Sequence, residues 1–132
     1  MTLKLPPRSV TAPSWDADPV GWAEWYLREN AHVYREFRRL VLASIEHHPS
    51  MPISADQVLH VIRWNSRVSA RGDLFAINNN ASALFARLFL EEHPQHRALF
   101  RTRRSALDDL DAESWRRLMV AFEPLRTRRG PA

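Results

Sequence analysis

Three stretches of this chain repeat apolar residues every three to four positions, and a proline closes each of them. Val33, Phe37, Leu40, Val41, Ser44 and Ile45 share one helical face, and Pro49 follows. Ala81, Leu84, Phe85, Leu88 and Phe89 form a second stripe ended by Pro94; Trp115, Leu118, Met119 and Phe122 form a third ended by Pro124. That spacing is the signature of amphipathic α-helix. Proline lacks the N–H a helix needs and collides with the preceding turn, so each helix must stop there.

Two more helices complete the expectation. Asp18-Pro19 is a start signal, an N-cap acid before a proline at the first helical position, and Trp22, Trp25 and Tyr26 follow at helical spacing. Ser54 with Gln57 three residues on is a capping box; Val58, Leu59 and Ile62 make the apolar face behind it, and Asp56, His60, Arg63 and Arg67 the wet one. Asn30 is placed to cap the second helix, one of Asn78, Asn79 and Asn80 the fourth, and Asp111 the last, where Glu113 and Arg117 are an i,i+4 pair.

The expected fold is therefore mainly α, a compact bundle of about five helices in one domain over residues 18–123. Its flanks are an extended Pro-rich arm, residues 1–17, and a basic tail, residues 124–132. Residues 69–78 read as a loop turning at Gly72-Asp73, with Leu74 to Ile77 a short strand or an anchor. Pattern leaves Ala98 to Arg103 either a helical turn or one strand of a β-hairpin near residues 98–104.

The 132 residues, 45% apolar, suit a single domain. With no cysteine there is neither a disulfide nor a thiolate nucleophile. No apolar run is long enough to span a membrane, and the N-terminus lacks a secretory core, so a cytoplasmic protein is expected. Arg71-Gly72-Asp73 reads as a turn, not an adhesion signal. His93 and His96 have Pro94 between them and no third ligand at a recognised spacing, so no metal or other cofactor is expected. Asp108, Asp109, Asp111 and Glu113 are acids of the kind that complement a helix start. Nothing resembles a nucleophile motif or a phosphate loop, and a non-enzyme is expected. Trp22, Trp25 and Tyr26 are first a core stripe, although aromatics can also stack on unpaired bases; Trp64, between the apolar face and the Arg63/Arg67 stripe, is expected to be partly exposed.

Charge is unevenly spread. Of nineteen cations one is lysine, Lys4. Arg97, Arg101, Arg103 and Arg104 fall in eight residues without an acid, which suggests a localised anion-binding surface. Capped helix, loop, Asn-led helix and Arg-rich segment follow the order of a winged helix-turn-helix, although the loop is longer than the usual turn. In that arrangement Asn79 or Asn80, Ala83 and Arg87 would face a major groove, with Asn suited to adenine and Arg to guanine. Arg101, Arg103 and Arg104 would hold phosphates, which position without reading sequence. The plainer alternative is that the Asn run only caps a helix and the arginines only solvate a face.

Arg63-Trp64, the Gly72-Asp73 turn, Phe75 to Asn80, Ala86-Arg87, Glu92-His93-Pro94 and Phe100 to Arg103 resemble a small family of phage and prophage proteins over about residues 33–104. The resemblance implies a phage or mobile-element context and carries no activity to any residue. The expected function is a non-enzymatic protein that binds duplex DNA, with a homodimer plausible for a two-fold operator. The alternative is an adaptor or inhibitor of a host protein with no nucleic-acid role, in which the arginines of 97–104 are quenched by the acids of 108–113.

Overall fold

A computed structural model describes residues 12–68 and 79–127. The expected loop with its Gly72-Asp73 turn and Leu74–Ile77 segment, the Arg71 tripeptide, Asn78, the arm before residue 12 and the tail after residue 127 lie outside the described residues.

Five α-helices carry the fold: α1 (Pro19–Glu29), α2 (Ala31–His47), α3 (Ala55–Val68), α4 (Asn79–Glu92) and α5 (Ala112–Phe122). Short 3₁₀ turns at Pro94–Leu99, Ala106–Asp109 and Glu123–Leu125 join or end them. Helix α1 packs against α5 and α2, and α3 lies between α2 and α4. No described helix is long and apolar enough to cross a membrane.

The helix starts follow from side-chain chemistry. Asp18 Oδ1 accepts from the Gly21 N–H at 3.0 Å, satisfying one of the orphan donors of the first turn. A Cβ at Gly21 would meet that carboxylate at 2.1 Å, so any larger residue there would make the Asp18 side chain shift out of this position. Ser54 and Asp111 cap α3 and α5 through Gln57 N and Ser114 N, at 3.2 and 2.8 Å. Asn30 flanks α2 without a side-chain cap and turns its amide back to the Tyr26 carbonyl instead. It sits in the joint between two consecutive helices, and the end of the first needs the donor.

An aromatic knot forms the core. Tyr34 meets Phe85 and Phe122 edge-on at centroid distances of 5.2 and 5.3 Å; Phe85 also meets Phe37 at 5.3 Å and Tyr26 at 5.8 Å. Edge-to-face pairs of this kind add about 0.5–1.5 kcal/mol each beyond area burial. Trp22 stacks on Tyr26 at 4.8 Å. The Trp22/Tyr26 stripe is core, with Trp25 half-buried against it.

Four local expectations change. The hairpin near 98–104 does not form: Pro94 starts a 3₁₀ run to Leu99, and Phe100 makes a single parallel bridge to Ile53. The bridge partner comes from the segment before α3, not from a returning strand. The extended arm does not reach residue 17, because Trp15 packs edge-on against Trp22 at 5.2 Å and Asp18 N donates to the Ser14 carbonyl. The basic tail begins in the core, since Leu125 is buried. Arg117 passes over Glu113 and grips Glu24 of α1 with two hydrogen bonds, 2.6 and 2.9 Å.

Residues 125–127 are fastened by a buried polar knot. The Glu92 carboxylate, 5% exposed, lies 3.1 Å from Arg38 and accepts from Tyr34 Oη and Thr127 N, both at 2.7 Å. Arg38 also donates to the Leu125 carbonyl at 2.6 Å. Burial alone would raise the Glu92 pKa, but the Tyr34 hydroxyl, the Thr127 N–H and Arg38 outweigh it and hold the carboxyl below the usual range. Burial pushes the Tyr34 phenol far up, and Glu92 adds to the shift.

Candidate functional site

A cleft of about 830 Å³ opens where the start of α3, the first two turns of α4 and the segment 100–106 converge. Its construction begins with Arg87. The guanidinium chelates Asp108 at 2.9 Å through both Nε and Nη2, and donates to the carbonyls of Arg103 at 2.8 Å and Ala83 at 3.0 Å. Those bonds tie α4 to the far wall and fix the backbone of Arg103. The Arg87 side chain is only 12% exposed.

Asp108 is fixed from the other side by a capping box, its carboxylate accepting from Ser105 N at 2.9 Å. The Arg87 hydrogen bonds, with Ser105 N and Arg104 adding, hold the Asp108 carboxyl below its ordinary value despite some burial. On the near wall Ile53 N donates to the Leu99 carbonyl at 2.8 Å, and Ser82 Oγ crosses from α4 to Asp56 of α3 at 3.0 Å.

All seven residues singled out in the sequence line this one cleft, but in different states. Asn79 is exposed and Asn80 and Ala83 half-exposed. Arg101 and Arg103 are exposed, with no acidic side-chain partner among the described residues. Arg104 reaches Asp109, both side chains standing well out in solvent, where such a pair contributes about 0–1 kcal/mol and is readily exchanged. Arg87 is not available to a ligand, because it holds the wall together.

The expected outward line Asn79/Asn80, Ala83, Arg87 is also not a ridge. Helix α4 buries Ala81, Leu84, Phe85, Leu88 and Phe89 on one side and Ala86 and Leu90 on others. A helix covered over so much of its girth cannot project into a groove; its remaining surface is the side of a cavity.

Sequence reasoning missed Trp15, Ile53, Asp56, Ser82 and Asp108 as parts of this site. Ser105 and Asp108 carry a short capping signal. The Arg87–Asp108 and Ser82–Asp56 contacts join residues 21 and 26 positions apart, beyond any local pattern.

With Arg87 neutralised by Asp108, the lining still carries Arg101, Arg103 and Arg104 against one aspartate, Asp56, so the cleft attracts anions. Among the described residues, no three histidine, aspartate or glutamate side chains gather as a metal site would need. No protein-family model, no curated protein and no solved structure matches the chain.

Proposed function

We propose that the protein is a non-enzymatic, cytoplasmic DNA-binding protein of phage or mobile-element origin that grips the phosphodiester backbone at this cleft. One observation carries the reading: Arg101 and Arg103 are exposed, have no acidic partner among the described residues, and line the same cleft as Asn79 and Asn80 of α4. Had all the arginines of this segment been quenched by the acids that follow, an anion would find nothing to exchange. Instead those acids take Arg87 and, loosely, Arg104. The resemblance over residues 33–104 supplies the phage context.

The test is a fluorescence-anisotropy titration of matched duplex and single-stranded DNA at two salt concentrations, with Arg101→Ala/Arg103→Ala beside the wild type. Each phosphate neutralised contributes about −0.9 to the slope of log K against log salt for duplex and about −0.7 for single strands. The double variant should lower the slope by about 1.8 or 1.4 respectively. Absence of wild-type binding to either form at low salt removes the reading.

A second reading, a protein-binding adaptor, is favoured by Val61 and Trp64, 44% and 59% exposed on the outer side of α3. It expects Trp64→Ala to abolish capture of a host protein while Arg101→Ala/Arg103→Ala leaves capture intact.

A further inference from the structure

We infer that the cleft receives an unpaired nucleotide, base inward and phosphates on the arginines, so that the protein prefers single-stranded or locally opened DNA to intact duplex. The inference rests on the DNA-binding reading and deepens it.

Shape is the first argument. Major-groove reading needs a convex element, whereas every uncommitted polar group of α4's first turns lies on the wall of a concavity. At about 830 Å³ the space falls within the roughly 300–1,000 Å³ of small-ligand pockets, room for a nucleotide and not for a double helix.

The lining is the second argument. Ile53, Ala86 and Phe100 are almost wholly buried apolar residues that line it, and the little they leave open, with half-buried Trp15, is apolar surface that a base face covers more favourably than a phosphate. Gln57, Asn79 and Asn80 also line the cleft. Carboxamides present a donor beside an acceptor, the pairing that meets the edge of an unpaired base. Trp15 closes one side; it is braced edge-on by Trp22 and offers a stacking surface of the kind single-strand binders use. Arg101 and Arg103 lie on the lip, where the backbone of an inserted nucleotide would run.

A duplex keeps its bases stacked and could reach only the lip, gaining the phosphate contacts alone. A phosphopeptide would also meet the arginines, but it leaves the amides and the apolar lining without a matching group.

The experiment compares four fluorescent probes at fixed low salt: a mixed-sequence single strand, the same sequence as blunt duplex, an abasic strand of equal length, and a phosphoserine peptide. The single strand should bind at least about fivefold tighter than the duplex and than the abasic strand, since one base stacked on an aromatic is worth about 1–3 kcal/mol. Ala83→Trp fills the cleft and should erase that preference, bringing the single strand to the affinity of the abasic strand. If circular dichroism finds that variant unfolded, Asn79→Ala/Asn80→Ala gives the same reading: a loss on the base-bearing strand and none on the abasic one.

Equal affinity for the base-bearing and abasic strands overturns the inference and leaves DNA binding standing. Failure of all three nucleic-acid probes removes both, and peptide binding alone would then assign the cleft to a protein ligand.

Discussion

Replacing Glu92 by Gln should destabilise the whole domain and release its C-terminal turn first. Glu92 is 5% exposed and joins three separate parts of the chain: Tyr34 and Arg38 of α2, its own helix α4, and Thr127 after the last turn. Gln keeps the shape but removes the charge, and its amide turns one N–H₂ group toward donors. A hydrogen bond to a charged group is worth about 1.5–3 kcal/mol, and breaking a buried ion pair from one side costs about 3–5 kcal/mol. Arg38 is 16% exposed and keeps the Leu125 carbonyl, so the lower part of that span applies. We expect a loss of about 2–3 kcal/mol, or about 6–12 °C in Tm for a chain of this size. Urea denaturation followed by circular dichroism measures the loss, and amide exchange at Leu125 and Thr127 measures the local release. Arg38→Met should cost less in the Glu92→Gln background than in the wild type, because its partner has already gone. A loss below about 0.5 kcal/mol, or strictly additive single variants, would refute the argument that the knot acts as a unit.

Phe85→Ala should cost about 3–5 kcal/mol, since the ring meets Tyr26, Tyr34 and Phe37 at once; Arg117→Ala, removing an exposed pair with Glu24, should cost under about 1 kcal/mol. Both are read from the same urea titrations. Asp108→Ala should leave global stability within about 1–2 kcal/mol of wild type while freeing Arg87 and loosening residues 100–105, visible as faster amide exchange there. Acid should destabilise in two stages. Burial lowers the His93 pKa, so the unfolded chain binds the extra proton first, and stability begins to fall below about pH 6.5. Glu92 and Asp108 have depressed folded pKa values, so their contribution is full above about pH 4.3 and is lost as pH drops through those lower values. Glu92→Gln should flatten the second stage and deepen the first, because the Glu92 charge favours protonated His93, a pattern that thermal melts from pH 7 to 3 resolve.

The helices were legible because each depends on residues within one or two turns. The stripe of Leu84, Phe85, Leu88 and Phe89, the Asp18 and Ser54 caps, and the prolines after α2, α4 and α5 all act locally, and they appear where the spacing put them. What periodicity could not convey was how many sides of a helix are covered. Ala86 and Leu90 lie off the main stripe of α4 and are buried too, at 2% and 7% exposure. The segment 100–107, which local pattern left open, adds the buried Phe100 and Leu107 to the same core. The ion pairs escaped for the same reason: Arg117 found Glu24 from a distant helix because α1 packs against α5, and nothing near Glu113 announces that.

The same hidden cover changes what the basic segment can do. Charge counting grouped Arg97, Arg101, Arg103 and Arg104, and the last three line the cleft with Arg87 while Arg97 does not, yet a guanidinium acts on a ligand only with donors to spare. Arg87 uses Nε and both terminal nitrogens on Asp108, Ala83 and Arg103. Its contribution is to hold the Arg103 backbone in place, and with it the lip of the cleft. Exchanging that pair for a phosphate would release Asp108 into the same electrostatic field and repel the incoming charge. An anion therefore gains more from Arg101 and Arg103, which are exposed and have no acidic partner among the described residues, than from Arg87. The cation committed to the wall builds the site, and the exposed ones are left to bind.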